Sequence, residues 1–232
     1  MEPSFAPPPT PQHPRPARKL LGDSLRRPGG RRALSVLSLV LALAGVGMFA
    51  YPFATDLYSS RLQQRLRDRF DDPDFKEAYR LRQIGVGEGL TRLRIPKFGL
   101  SVLVVEGTTT AALKAGAGHY LDTPLPCEAG NVGIAGHRTT YGRPFNRLGE
   151  MKPGDEVFLD TPFETCRYVA AVSFDGLPNP HPVRPNDFHV VARPPTAGEH
   201  WLTLTTCHPK GSAKQRLVLR LTLAEVLPLQ RG

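Results

Sequence analysis

The chain has little that would mark a metal protein, a nucleotide binder or a nucleic-acid binder. Its 232 residues hold only three cysteines, and no group of His, Cys or acidic residues has metal-ligand spacing. Cys207-His208 is too isolated for a zinc site, so neither a metal nor any other cofactor is expected. Gly85-Val86-Gly87-Glu88-Gly89 is rich in glycine, but no clear strand precedes it and a strand, not a helix, follows. It therefore reads as a hinge rather than a phosphate loop. The formal charge of +9 says less than its size suggests. Residues 1–32 carry seven basic side chains against Glu2 and Asp23, a net of +5, which leaves +4 for residues 33–232 with both signs mixed. A basic stripe for nucleic acid is not indicated. No internal repeat is visible.

What the chain does contain starts with one long apolar run. From Ala33 to Thr55 no charge appears, and roughly 20 apolar residues are what a helix needs to cross a bilayer's hydrocarbon core. A buried core helix is usually amphipathic, whereas this run is apolar on every face. A cleavable signal peptide has a shorter apolar region followed by small residues; here Tyr51-Pro52-Phe53 follows, an aromatic pair suited to a membrane interface. The run predicts an uncleaved transmembrane helix over 33–54. Because the positive flank precedes it, the N-terminus is expected to be cytoplasmic and everything after the span outside. The Pro/Arg-rich tail, 1–32, reads as disordered. Over 55–85, charges alternate with Leu57, Leu62, Leu66 and Phe70, which predicts a short amphipathic helix and then a linker through Asp71-Asp72-Pro73-Asp74. That segment is expected to act as a stalk.

The texture changes near residue 86. Short β-rich runs follow to about residue 228: Leu90–Ile95, Ser101–Val105, Val132–Ala135, Glu156–Leu159, Arg167–Phe174, His189–Val191, Trp201–Thr206 and Arg216–Leu223. Short helices are expected near Thr109–Lys114 and Pro144–Leu148. Eight closely spaced strands with few helices predict an all-β domain, a closed barrel or a sandwich.

Three chemistry-bearing side chains lie at the edges of these strands. Cys207 ends the stretch Thr203-Leu204-Thr205-Thr206-Cys207-His208-Pro209. His137 ends the run Gly130-Asn131-Val132-Gly133-Ile134-Ala135-Gly136-His137-Arg138. Arg216 opens Arg216-Leu217-Val218-Leu219. Taken singly, each has an ordinary reading: a packed or bridged cysteine, a surface histidine, a solvated strand arginine. Together they are the parts of a cysteine acyl-transfer site. A thiolate can both attack a carbonyl and leave it; an imidazole can protonate a departing amine and deprotonate an incoming one; a guanidinium, never a base at physiological pH, can donate to an oxyanion or a substrate backbone.

The wording of these stretches resembles the sortases, surface transpeptidases of Gram-positive bacteria. Their signature is Thr-Leu-X-Thr-Cys, with a histidine on an earlier strand and an arginine on the next. The resemblance covers roughly residues 90–223 and is most like class E, through Cys207-His208-Pro209, the Asn-Val-Gly-Ile-Ala-Gly-His-Arg run and Gly118-His119-Tyr120. It implies an eight-stranded sortase-type barrel with Cys207 as nucleophile, His137 as acid and base and Arg216 as donor, and a substrate side that includes Tyr120, Thr205 and Thr206. It further implies cleavage of a sorting signal, Leu-Ala-X-Thr-Gly in that class where others prefer proline, between Thr and Gly. Attachment to a cell-wall precursor amine would follow, so the partners would be surface proteins bearing that signal. Tyr120 is either a donor to the substrate backbone at that alanine or an ordinary packed tyrosine, and Thr206, next to Cys207, is either a second oxyanion or substrate donor or a strand filler. Gly211 departs from the aromatic residue expected after Pro209-Lys210. A plain thiol hydrolase and a non-catalytic wall-associated β-domain are the alternatives. One of the three cysteines must be left unpaired. In an extracellular setting, Cys127 and Cys166 either form a bridge or remain two partly buried thiols.

Overall fold

A computed structural model describes residues 28–70, 72–174, 176–192 and 196–229. Most of the tail expected to be disordered lies outside the described residues; its last part, from Pro28, is already helical. Helix α1 runs unbroken from Pro28 to Phe70, α2 spans Pro73–Arg80, and α3 spans Thr110–Ala115. The chain divides into two compact units, Met1–Ala50 and Tyr51–Gly232.

In the first unit every residue of α1 from Arg31 to Ala50 is exposed, apolar side chains included. Among the described residues, α1 is the one helix long and apolar enough to cross a membrane.

The second unit is built on strands β1 (Gly89–Ile95), β2 (Leu100–Glu106), β3 (Ala117–His119), β4 (Gly130–Gly136), β5 (Glu156–Asp160), β6 (Glu164–Ala170), β7 (Ser173–Phe174), β8 (Leu177–Pro178), β9 (His181–Val183), β10 (His200–His208) and β11 (Gln215–Pro228). Eight of them follow the order β10-β4-β3-β2-β1-β5-β6-β11, and β11 pairs back onto β10, so the barrel closes. Closure removes the open edges that would otherwise invite aggregation. Two neighbour pairs, β2–β3 and β4–β10, are parallel and the rest antiparallel. A parallel pair needs a crossover, and α3 lies in the one between β2 and β3. The interior holds Leu93, Val104, Ile134, Leu159, Leu202, Leu204, Leu219 and Leu221. Strand alternation puts every second residue of β10 and β11 there.

Three local expectations fail. His189–Val191 is not a strand but part of a 3-10 turn, Phe188–Val191; its valines pack over the barrel wall rather than into a ladder. Pro144–Leu148 is not a helix, because the Phe145 N–H is taken by the His137 carbonyl at 3.2 Å and only Leu148–Glu150 turns, as 3-10. The strand expected over Arg167–Phe174 starts earlier and stops at Ala170, after which β7 and β8 form a two-stranded pair.

The polar end of α1 lies against the barrel. Its Gln63 carboxamide donates to the carbonyls of Leu103 (2.9 Å) and Ala115 (2.7 Å) and accepts from the Leu103 N–H (2.8 Å). Leu62 and Leu66 cover Val105, Ala112 and Ala115. Cys127 and Cys166 form a disulfide, which leaves Cys207 as the free thiol.

Candidate active site

The outer face of the barrel wall carries the site. β10 runs parallel to β4 with Thr203 beside Gly133 and Thr205 beside Ala135, and antiparallel to β11 with Thr203 opposite Arg220, Thr205 opposite Val218 and Cys207 opposite Arg216. Continued two residues past its last pair, the parallel register sets His137 level with Cys207. Paired residues on adjacent strands share a face. One row of the wall therefore reads His137, Cys207, Arg216, and the row below reads Ala135, Thr205, Val218. His137 stands far from Cys207 in the chain and Arg216 only nine residues after it, and they share a row because three neighbouring strands end together.

A segment between β8 and β10 roofs these rows. Val183, Val190 and Val191 pack on Val218. The Asn131 amide donates to the carbonyls of Val190 (3.0 Å) and Ala192 (2.9 Å), and Arg220 donates to Val190 (2.8 Å). Beneath the roof is a small pocket of about 30 Å³ lined by Tyr120, Thr205, Arg216, Val183, Val190 and Val191, among others. A larger pocket, lined in part by Arg82, Asp122, Glu128 and Glu199, lies at the far end of β4 and holds none of the site residues.

The hydroxyls of Tyr120 and Thr205 hydrogen-bond each other at 3.0 Å, so the structure brings these two expected substrate-side residues together. Tyr120 fits only because residue 133 is glycine: a Cβ there would lie 2.8 Å from its ring. The turn that carries Tyr120 is held by the buried His119. Its Nδ1 meets the Glu106 carboxylate at 3.1 Å, and its Nε2 meets the Thr123 hydroxyl and the Pro124 carbonyl, both at 2.9 Å. Thr206 is placed elsewhere. Alternation turns its side chain to the opposite face from Thr205 and Cys207, where its hydroxyl donates to the Gly136 carbonyl at 2.7 Å.

His137 is half-buried, and burial holds its pKa below the ordinary histidine value, favouring the neutral ring. Its Nε2 is buried with no hydrogen-bond partner among the described residues. The ring lies 5.2 Å, centroid to centroid, from that of Tyr141. Arg216 donates to the carbonyls of Ala213 (3.0 Å) and Gln215 (3.2 Å), which anchors its head at the β10–β11 turn.

A fourth residue was not singled out from the sequence. Arg138 is buried, and its Nη1 donates to the Cys207 carbonyl (3.1 Å) and to His208 Nδ1 (2.8 Å). His208 Nδ1 must then accept, which puts its proton on Nε2. Burial lowers the Arg138 pKa. The only signal was its place directly after His137, and a dipeptide does not show which carbonyl a guanidinium will reach.

A free thiol with an imidazole on one side and a guanidinium on the other, on the wall of a closed barrel, is an arrangement that can carry thiol-dependent acyl transfer. A family model for the sortase domain matches residues 93–224, and the chain belongs to the sortase family. It is 32% identical to sortase SrtE1 of Streptomyces coelicolor over 157 residues, 63% of this chain and 43% of that protein. It is 31% identical to sortase D of Bacillus subtilis over 136 residues, 57% of this chain and 63% of that one. The chain thus spans less than two thirds of the length of each of these relatives. Among solved structures, sortase E from Streptomyces avermitilis superposes with a TM-score of 0.55 at 33% identity, covering 62% of this chain and 93% of that one.

Proposed function

We propose that the protein is a membrane-anchored cysteine transpeptidase that cuts a Leu-Ala-X-Thr-Gly or Leu-Pro-X-Thr-Gly sorting signal between Thr and Gly. The carrying observation is the free Cys207 in one register row with Arg216 and, by continuation, His137. The Cys207 thiol gives its proton to His137 as its sulfur adds to the threonine carbonyl, and the developing oxyanion takes hydrogen bonds from Arg216. The C–N bond then breaks, the glycine amine leaves with a proton from His137, and a thioester remains. A cell-wall precursor amine next adds to that carbonyl, His137 removes its proton, and the thiolate departs. Tyr120 and Thr205 line the adjoining pocket and would face the signal's second residue, where an alanine N–H offers a hydrogen bond that proline lacks.

In this reading residues 33–54 span the membrane once with the N-terminus cytoplasmic, 55–85 join the span to the barrel, and the catalytic region is 86–228. An outward-facing domain agrees with a structural disulfide between Cys127 and Cys166, since such bonds persist in oxidising surroundings. The partners are surface proteins carrying the signal. The test is to incubate the full chain in detergent with a Leu-Ala-X-Thr-Gly peptide and excess triglycine and to weigh the products. A new threonyl-triglycine product supports transpeptidation; free threonine acid alone, insensitive to the amine, supports the hydrolase.

A further inference from the structure

The loop that follows His137 is held from outside the barrel. Tyr141, Gly142 and Arg143 have φ of 51°, 72° and 38°, three consecutive residues in the left-handed region. Only the middle one is glycine, so Tyr141 and Arg143 carry steric strain. Such backbone persists where its surroundings over-determine it, and here the determining contacts come from α1. One oxygen of the Asp56 carboxylate accepts from the Gly142 N–H at 2.9 Å, and the other accepts from Arg143 Nη2 at 2.7 Å. One turn further along, Ser59 closes on the same glycine: a Cβ on Gly142 would lie 3.1 Å from its hydroxyl oxygen. The ring of Tyr141, fixed by this strained backbone, is the one that packs against His137. The Lys114 ammonium lies 5.7 Å from the Tyr141 ring centroid.

We infer that Asp56 is a positioning residue for His137, so that the extramembrane end of the anchor helix is a working part of the active site rather than a stalk. Asp56 touches neither substrate nor thiol. It acts through the strained turn: with its two bonds gone, the turn relaxes toward ordinary φ, Tyr141 leaves the imidazole, and water reaches the ring. This rests on the reading of His137 as the acid and base, and the wild-type protein tests that reading first.

The experiment compares wild type, Asp56→Ala, Asp56→Asn and Arg143→Met as full chains in detergent. It measures kcat and KM for a sorting-signal peptide and follows the His137 Cε1–H resonance through a pH titration. In Asp56→Ala, kcat falls about tenfold with KM nearly unchanged, since the Tyr120 pocket is not touched. The His137 midpoint rises toward the ordinary histidine value as the ring becomes wet. Asp56→Asn still accepts from the Gly142 N–H but loses the ion pair, so its kcat falls and its His137 midpoint rises by an intermediate amount, as they do in Arg143→Met. Arg143→Met breaks the ion pair from the loop side with α1 intact and decides the matter where Asp56→Ala does not fold. Wild-type turnover with an unmoved His137 midpoint and unchanged kcat in the variants overturns the inference, as does a loss that follows only the folded fraction. A wild-type protein without turnover would instead sink the transpeptidase reading.

Discussion

The two faces of β10 are equally buried and do different things. Leu202 and Leu204 point inward and Thr203 and Thr205 outward, and all four are at most 3% exposed. Burial therefore does not separate them; what covers them does. The leucines sit among apolar neighbours, where area removed from water is the whole contribution. The threonines lie under a roof of chain, where each hydroxyl needs a partner and finds one: Thr203 donates to Asn131 at 2.7 Å, and Thr205 pairs with Tyr120. Cys207 continues the outer row to the rim, where cover thins and it is partly exposed. In the proposed function, a strand of alternating Leu and Thr thus gives one face to stability and the other to recognition, with Cys207 where the second face meets solvent.

Substitutions on the two faces should dissociate stability from turnover. Cys207→Ala should abolish turnover while the thermal midpoint stays put, because a small, partly exposed side chain is lost. A large fall in the midpoint would mean that Cys207 is structural. Leu204→Ala should cost about 2–5 kcal/mol through lost burial and a residual cavity, while kcat per folded molecule stays near wild type; thermal melts paired with active-site titration read both. Arg138→Met crosses the divide. It leaves the Cys207 carbonyl and His208 Nδ1 without their donor, so it should cost about 1–3 kcal/mol and also lower kcat severalfold, and a change in only one of the two would refute the shared role. Tyr120→Phe should have the smallest effect. It removes one neutral hydrogen bond, about 1 kcal/mol, and should narrow the preference for Ala over Pro peptides severalfold with little change in stability. An unchanged preference would remove Tyr120 from the groove.

The barrel and the His137, Cys207, Arg216 row were legible because they rest on local signals. Alternation marks the longer strands, and the short motifs carry the three candidate side chains. What could not be read depends on distant partners. β3 and β9 have three residues each and β7 and β8 two, too short for alternation to register. The valines of His189–Val191 look like a strand until one sees that they lie flat on Val218. Hydropathy reads the apolar part of α1 as a membrane span, and its bare surface fits that reading; it misses the polar part, where Thr55, Ser59 and Gln63 are buried. Polar residues at helical spacing ordinarily predict solvent, and only the free backbone groups near Leu103 and Ala115 show why Gln63 is inside. Thr206 was set beside Thr205 by adjacency in sequence, and the period of two separates them.

In the proposed function Cys207 is the acyl-accepting nucleophile of this wall. Its most direct measurement is mass spectrometry of the full chain mixed with a Leu-Ala-X-Thr-Gly peptide without an added amine, quenched in acid and mapped by proteolysis. The intact mass should rise by the acyl part of the peptide up to threonine, hydroxylamine should remove the adduct, and the adduct should lie on the fragment containing Cys207. An adduct on another residue, or peptide cleavage that persists in Cys207→Ala, would contradict that role.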